Sequence, residues 1–465
     1  MEADPGLLPP VREQVSRGVA SADLSEIRED FIPREDYISA DVMAREKSRL
    51  WPRVWQMACR EEELAKAGSF LTYEIAGQSI LIVRVAQGAL KAFHNVCPHR
   101  GNQLAAGSGS LAQIACSFHG WRWTLEGRSS YVKDEADFAG CPAMGSDDLS
   151  LTPVQIDTWG GFVFINMDLD AEPLRAFLAP VPHYLDCVMF DGVRIAWHQT
   201  VRLAGNWKTA LESFMESYHV YTTHPQLVPV FDEQSFSRDF GKHGMHGYPP
   251  TNRPLGAPSP RMGMEMPSDL REGVIKVFVD IAHQTGGATG VGNISGRAAK
   301  EVERLRTEVS ADAPAAEVLA AAFTFMAEAA IRDGASWPTI TAEQMRDLGV
   351  DWNIFPNMVL VFSLDSSLVF RARPDGDDPD RCIFDMWGLL RTSDENAPQW
   401  DHRQFDNWRD HTDEIPSLLV QDLRNIEKIQ RGMHSVAFRG SRTNPVQERQ
   451  IFSLHRALHD YIDDD

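Results

Sequence analysis

Residues 97–123 read CPHRGNQLAAGSGSLAQIACSFHGWRW, and the fold of the chain turns on this stretch. One residue separates Cys97 from His99, sixteen lie between His99 and Cys116, and two separate Cys116 from His119. Two loops therefore each offer one thiolate and one imidazole, a set of four soft or borderline metal ligands. Pro98 stiffens the first loop, and Gly101 and Gly120 follow the histidines where a tight turn around a metal would crowd a Cβ. Trp121 and Trp123 are placed to shield the site. A zinc knot also uses two Cys and two His, but common zinc patterns pair Cys with Cys and His with His at short range. The remaining cysteines, at 59, 141, 187 and 382, are spread too thinly for a disulfide framework.

Outward from this stretch the pattern is that of strands. Residues 71–75 alternate apolar and polar side chains, Ala76-Gly77-Gln78 reads as a turn, and residues 79–85 form a β-branched run closed by Gly88. Residues 161–166, GFVFIN, supply another buried strand before the charged, proline-containing segment DLDAEPLRAFLAPVP. These features predict a small antiparallel β domain ending near Met167. Upstream, residues 39–55 have helical character with Ser39 as cap. Downstream, strand candidates at 358–362, 367–373 and 382–390 mix with helices at 207–221 and 416–433, which suits helices on an antiparallel sheet. Residues 298–333, rich in Ala, Glu and Arg, follow a loop at 286–296 holding five glycines, and read as a helical insertion placed to cover an active site. Gly290, Gly292 and Gly296 approximate a dinucleotide fingerprint, but the spacing is one residue too long and no buried strand precedes them.

Beyond the β domain, residues 206–226 read NWKTALESFMESYHVYTTHPQ. On a continuous helix Glu212, Glu216 and His219 fall within about 60° of one another, whereas His224 does not. For both imidazoles to meet one metal the helix must distort between them, at the β-branched pair Thr222-Thr223. Without further context this would be an amphipathic helix with surface histidines.

The two cysteine-histidine loops resemble the cluster-binding signature of Rieske proteins. That resemblance implies a [2Fe-2S] cluster with Cys97 and Cys116 on one iron and His99 and His119 on the other. Neutral imidazoles in place of two thiolates bring such clusters to potentials of roughly −150 to +300 mV rather than about −400 mV. Residues 206–226 are similar to the iron-binding helix of ring-hydroxylating oxygenases, including the Asn206-Trp207-Lys208 lead-in and the His-Pro ending. Carried over, His219 and His224 become ligands of a mononuclear Fe(II). A non-haem iron of this type takes two His and one carboxylate on one face and leaves open positions for oxygen. Residues 418–435, LLVQDLRNIEKIQRGMHS, resemble the family's C-terminal helix, which makes Asp422 the candidate third ligand, with Asp413 and Glu427 as alternatives. In most relatives an Asp three residues before the first His bridges electron transfer from a neighbouring subunit's cluster. Glu216 stands there in this chain, and relatives acting on quaternary ammonium compounds are similar in using Glu.

The resemblance runs from about Trp51 to the last helix, ERQIFSLHRALHDYI, and leaves out the N-terminal tail and residues 260–345. It implies an α+β chain: an N-terminal helical segment (1–47) packing on the catalytic domain, a Rieske domain (48–167), and a helix-grip, START-like catalytic domain (168–465) carrying the 260–345 insertion. The expected role is the terminal oxygenase of a multicomponent system that hydroxylates an aromatic substrate. Apolar neighbours such as Leu211, Phe214, Met215 and Val220 are expected to line its pocket. Oxidative N- or O-demethylation or quaternary ammonium monooxygenation by the same iron is the alternative, and a Rieske electron carrier or redox sensor is the non-enzymatic one. Implied partners are an NAD(P)H reductase, a ferredoxin in some systems, O2 and a small organic substrate, in a homotrimer or an α3β3 assembly with a small β subunit.

Composition sets the outer bounds. The chain has 465 residues, 43% hydrophobic, enough for two or three domains with real cores. A net charge of −21 argues against a nucleic-acid partner, which needs clustered Lys and Arg. The opening MEADPGLLPPVREQ lacks a secretory pattern and no later stretch approaches a membrane span, so a cytoplasmic location is expected.

Overall fold

The computed structural model describes residues 23–144 and 149–463. These fall into two compact units, Met43–Ala179 on one hand and the described parts of Met1–Val42 and Pro180–Asp465 on the other.

The smaller unit is built on a seven-stranded sheet in the order Gln56–Arg60, Phe162–Asn166, Pro153–Trp159, Leu90–His94, Gln78–Arg84, Ser69–Ile75, Ser108–Ser110. Its hairpin follows from the sequence: Ile75 pairs with Gln78, leaving Ala76 and Gly77 as the turn. Both have positive φ (50° and 79°), the two-residue geometry that matches the twist of the flanking strands. A second sheet of Ile114–Ala115, Arg122–Trp123 and Ser129–Tyr131 carries the second cysteine loop. Leu81, Val83, Phe93 and Trp123 form one apolar cluster that includes Cys97 and Cys116.

The unit boundaries differ from the expected 47/48 and 167/168. Residues 168–179, including the helix Leu174–Phe177, belong with the β unit. Two hydrogen bonds account for this: Trp55 Nε1 donates to the Glu172 carbonyl (2.7 Å) and Gln155 Nε2 to the Asp168 carbonyl (2.8 Å). The described residues 23–42 belong with the larger unit, where Ile32–Pro33 pairs with Gly440–Ser441; residues 1–22 of the expected N-terminal segment lie outside the described residues. The helix expected over 39–55 covers Ala40–Arg45 and continues as a wider turn, Glu46–Leu50. It ends at Trp51, whose N–H donates to the Glu46 carbonyl (3.1 Å); Pro52 has no N–H to extend the ladder.

The larger unit carries an eight-stranded sheet in the order Phe236–Phe240, His243–Gly247, Asp351–Ile354, Met358–Phe362, Ser366–Pro374, Cys382–Arg391, Val193–Leu203, His402–Phe405. All pairings are antiparallel except the last. Phe214, just past the helix Trp207–Glu212, stacks on Phe370 and Phe384 of the central strands, ring centroids 4.1 and 5.3 Å away. The insertion is helical, as expected, but in several pieces: Arg271–Gly286, Gly296–Glu301, Leu305–Glu308, Ala315–Arg332 and Ala342–Asp347. It has its own core of residues such as Val274, Phe278, Ala298, Val302, Val318 and Met326. The glycine-rich loop follows a helix, not a strand, and Gly287 and Gly290 have positive φ (52° and 66°) at that helix end. No helix among the described residues is long and apolar enough to cross a membrane.

Candidate metal centres

The two cysteine loops of the β unit have the same backbone geometry. Cys97 donates its N–H to the Asn102 carbonyl and accepts from Gly101; Cys116 donates to the Trp121 carbonyl and accepts from Gly120, all at 2.8–3.0 Å. Gly101 and Gly120 have φ of 76° and 77°, and a Cβ on either would meet nothing within 4 Å. The reason for glycine is thus the left-handed backbone, and the crowding expected on sequence grounds is absent.

The loops bring His99 and His119 together, ring centroids 4.6 Å apart, with Trp121 stacked on His99 at 4.7 Å. Nδ1 of each imidazole is buried without a hydrogen-bond partner, the state expected of a nitrogen whose lone pair is reserved for a metal. Burial pushes the thiols of Cys97 and Cys116 up, and at Cys116 the N–H groups of Phe118 and His119 outweigh it and favour the thiolate. Asn102 Nδ2 also points at Cys116 Sγ (3.6 Å). Paired sulfurs, orphaned nitrogens and amide donors fit a [2Fe-2S] cluster on Cys97, His99, Cys116 and His119.

In the larger unit, Asn206 caps a helix by accepting from the Lys208 N–H (3.0 Å), but that helix ends at Glu212. The continuous helix to residue 221, with Glu212, Glu216 and His219 on one face, does not form. Nor does the break fall at Thr222-Thr223, which lie inside the short helix Val220–Thr223; the chain is unwound before His219 instead. Side chains replace the missing backbone bonds: Gln450 Nε2 donates to the Met215 carbonyl, Ser217 Oγ to the Glu233 carbonyl (3.2 Å), and Glu216 accepts from the His219 N–H (3.0 Å).

The result brings His219, His224 and Asp422 together, with potential ligand atoms within 4.8 Å of one another. His224 Nε2 is 3.0 Å and His219 Nε2 3.6 Å from Asp422 Oδ1. Neighbouring ligands on one face of an ion with bonds of roughly 2.1 Å stand about 3 Å apart, so the set fits a two-histidine, one-carboxylate iron site. Of the alternatives to Asp422, Glu427 lies five residues along the same helix, Ser417–Met433, and is turned to Trp408 Nε1 (2.9 Å) and Arg409. Asp413 is in no such group among the described residues.

Each histidine is oriented through its other nitrogen: His219 Nδ1 to Glu216 Oε1 (2.5 Å) and His224 Nδ1 to Gln421 Oε1 (2.7 Å). Burial pushes His219 down, but Glu216, with Asp422 and Glu448, outweighs it and holds the imidazole at about 9. For Glu216 burial favours the neutral acid, and the contact with His219 overrides it and lowers its pKa. Glu216, Asp422 and Glu448 thus favour positive charge at this position, which suits a cation.

Beside these residues lies a cavity of about 310 Å³. Val277, Phe278, Ile281, Phe323 and Met326 of the insertion form one wall. Phe214 and Val220 line it, while Leu211 and Met215 are buried and do not. Sequence reasoning missed Gln421, and it missed the cavity-lining pair His246 and Asp351, whose contact depends on strand register. A further group, His198, Asp385 and His402, also clusters. There the two rings are stacked in parallel (centroids 3.8 Å apart, 4° between planes), so their in-plane lone pairs cannot converge on one ion, and Arg371 (2.7 and 2.9 Å) already neutralises Asp385.

Residues 190–464 match the ring hydroxylating alpha subunit (catalytic domain) family and residues 54–142 the Rieske [2Fe-2S] domain. The chain thus belongs to the alpha subunits of Rieske non-haem iron oxygenases. Among curated relatives, the glycine betaine monooxygenase oxygenase subunit of Pseudomonas aeruginosa is 31% identical over 221 residues, covering 46% of this chain and 50% of the relative. The carnitine monooxygenase oxygenase subunit of Escherichia coli is 33% identical over 219 residues (46% and 56%). The anthranilate 1,2-dioxygenase large subunit of Acinetobacter baylyi is 28% identical over 204 residues (42% and 43%). The matches span about half the length of these relatives. Among solved structures, a quaternary ammonium Rieske monooxygenase with L-carnitine superposes with TM-score 0.61 at 17% identity, covering 95% of this chain and 99% of that one. A naphthalene 1,2-dioxygenase variant bound to phenanthrene does so with TM-score 0.61 at 15% identity (94% and 93%). Both share the fold of a Rieske β domain followed by a sheet-and-helix catalytic domain.

Proposed function

We propose that the chain is a terminal oxygenase that hydroxylates a carbon bonded to a substrate nitrogen. The observation that carries this is Glu216 bonded to His219, in the place where most relatives carry Asp, together with the glycine betaine and carnitine monooxygenase subunits among the relatives. In balance, O2, two electrons and two protons convert a C–H bond next to nitrogen into C–OH and release one water. The carbinolamine then breaks its C–N bond to give an amine and a carbonyl compound. A separate NAD(P)H reductase, directly or through a ferredoxin, supplies the electrons, which suits a cytoplasmic protein.

Cys97, His99, Cys116 and His119 would hold the [2Fe-2S] cluster, and His219, His224 and Asp422 the mononuclear iron. The cluster supplies single electrons and the iron oxygen activation. Glu216 holds the His219 proton on Nδ1, leaving Nε2 free for metal, and forms the bridge to a neighbouring subunit's cluster in a homotrimer or α3β3 assembly. Gln421 performs the same orientation for His224. The insertion's apolar wall keeps water from the site.

Aromatic ring hydroxylation is the second reading, favoured by the six phenylalanines that line the cavity, Phe214, Phe231, Phe278, Phe323, Phe362 and Phe370. Oxygen uptake with a generic reductase over N-methylated amines, aryl ethers and aromatic hydrocarbons separates them. Coupled formaldehyde release from the amines supports N-linked oxidation. Diols or phenols formed from the aromatic hydrocarbons as the only coupled products would reject it in favour of the second reading.

A further inference from the structure

His246 and Asp351 are directly opposite each other on adjacent antiparallel strands, so their side chains rise from the same face of the sheet into the cavity. His246 Nδ1 is hydrogen-bonded to Asp351 Oδ2, and Gln450 Nε2, from the helix Arg449–Ile462, donates to Asp351 Oδ1 (3.1 Å). An ionised carboxylate only accepts, so the imidazole proton sits on Nδ1 and Nε2 presents a lone pair. His246 is 4% exposed. Among the described residues that line the cavity, its Nε2 is the one buried side-chain nitrogen or oxygen without a hydrogen-bond partner. Other polar groups on the wall are engaged: Thr285 Oγ1 donates to the Ile281 carbonyl (2.6 Å) and Ser363 Oγ to the Ser366 carbonyl (3.3 Å).

The charges of the lining point the same way. Glu216, Asp351 and Asp422 contribute carboxylates, and no lysine or arginine is among the described lining residues. Glycine betaine, carnitine and anthranilate each carry a carboxylate, for which this cavity offers no lysine or arginine among those residues. A buried acceptor backed by a carboxylate, in an apolar chamber, selects a positively charged hydrogen-bond donor.

We infer that His246 is the substrate anchor: its Nε2 accepts the N–H of a protonated secondary or tertiary amine whose apolar, carboxylate-free body lies against Val277, Phe278, Ile281, Phe323 and Met326. Asp351 and Gln450 are positioning residues that fix the imidazole tautomer, in the way a buried carboxylate does in a hydrolase triad. This rests on the nitrogen-linked oxidation proposed above and narrows it, because a quaternary ammonium has no N–H to donate.

The test is anaerobic calorimetry on the holoenzyme without reductase, so that binding is read apart from turnover. Three probes are compared: N,N-dimethylphenethylamine, its N,N,N-trimethyl counterpart and L-carnitine. The dimethylamine is expected to bind roughly tenfold or more tighter than the trimethyl salt, the worth of a charge-assisted hydrogen bond, with carnitine weakest. His246→Leu should erase the preference while leaving binding of the trimethyl salt within a few-fold. Asp351→Asn, which keeps the shape but not the tautomer, should reduce the preference with the same thermal unfolding midpoint. Equal binding of the first two probes, tightest binding of carnitine, or an unchanged preference in His246→Leu would overturn the anchor. Formaldehyde release in a separate aerobic run with reductase reads the underlying chemistry: ring-hydroxylated product without formaldehyde removes nitrogen-linked oxidation, whatever the binding order.

Discussion

Glu216 shows how one residue can do three jobs through one carboxylate. It terminates the unwound segment by accepting the His219 N–H, fixes the imidazole tautomer, and keeps its charge against burial because His219 faces it. Glu216→Gln should therefore retain iron at both centres while single-turnover product formation falls on the order of 100-fold, as for other partners that orient a metal ligand. Glu216→Asp should recover part of the rate. Quench-flow product analysis alongside iron content checks both. Gln421 has a narrower role: its amide oxygen faces His224 Nδ1 and also accepts from Gln226 Nε2 (3.0 Å), and so orients the His224 ring. Gln421→Leu should weaken iron retention against a chelator by about 10- to 100-fold without touching the cluster absorbance. Gln421 directly precedes Asp422, yet nothing in the sequence marks it, because its function depends on which way one helix face is turned.

At the scale of elements, the cysteine loops are short turns whose register is locked by a left-handed glycine in each. Gly101→Ala or Gly120→Ala should cost about 1–2 kcal/mol from backbone strain alone, seen as a lower thermal midpoint and faster cluster loss. The helix Arg449–Ile462 is joined to the N-terminal segment and to the ligand segment by a chain of charges. His455 bonds Asp36 and Glu212, each at 2.7 Å, and Tyr37 Oη donates to Glu212 (3.1 Å). Burial pushes His455 down, but the two carboxylates outweigh it and hold it at about 9, above its ordinary 6.5. A group raised on folding stabilises fully below its unfolded pKa and ceases to as pH climbs past the folded one. The denaturation midpoint should thus decline from pH 6.5 to beyond 9, and His455→Gln should flatten that decline. The β hairpin and the two cysteine loops were legible because local periodicity, turn residues and ligand spacing all agreed. The break before His219 was not, since it is made by Gln450 and Glu233, 235 and 16 residues along the chain from their partners. The helix Arg271–Gly286 was not legible although Val274, Ile275, Val277 and Phe278 follow helical spacing, because the glycines at its end carry a loop signal that masks it.

For the whole molecule, each compact unit holds one candidate centre: thiolates and imidazoles in Met43–Ala179, imidazoles and a carboxylate in the other. The motifs and the resemblance they carry brought the family into view and named both candidate ligand sets, whereas the ranking of aromatic hydroxylation first is not backed by the relatives. Of Leu211, Phe214, Met215 and Val220, only Phe214 and Val220 reach the cavity, and the walls that decide its chemistry come from the insertion and from a cross-strand pair. The central claim is that a sulfur-bridged iron pair and a separate single iron coexist on this chain. Iron and acid-labile sulfide per chain, measured in the purified protein and in Asp422→Ala, test it most directly. About three irons and two sulfides are predicted, falling to about two irons with sulfide unchanged in the variant. About two irons in the unaltered protein, or a variant that keeps all its iron, would contradict it.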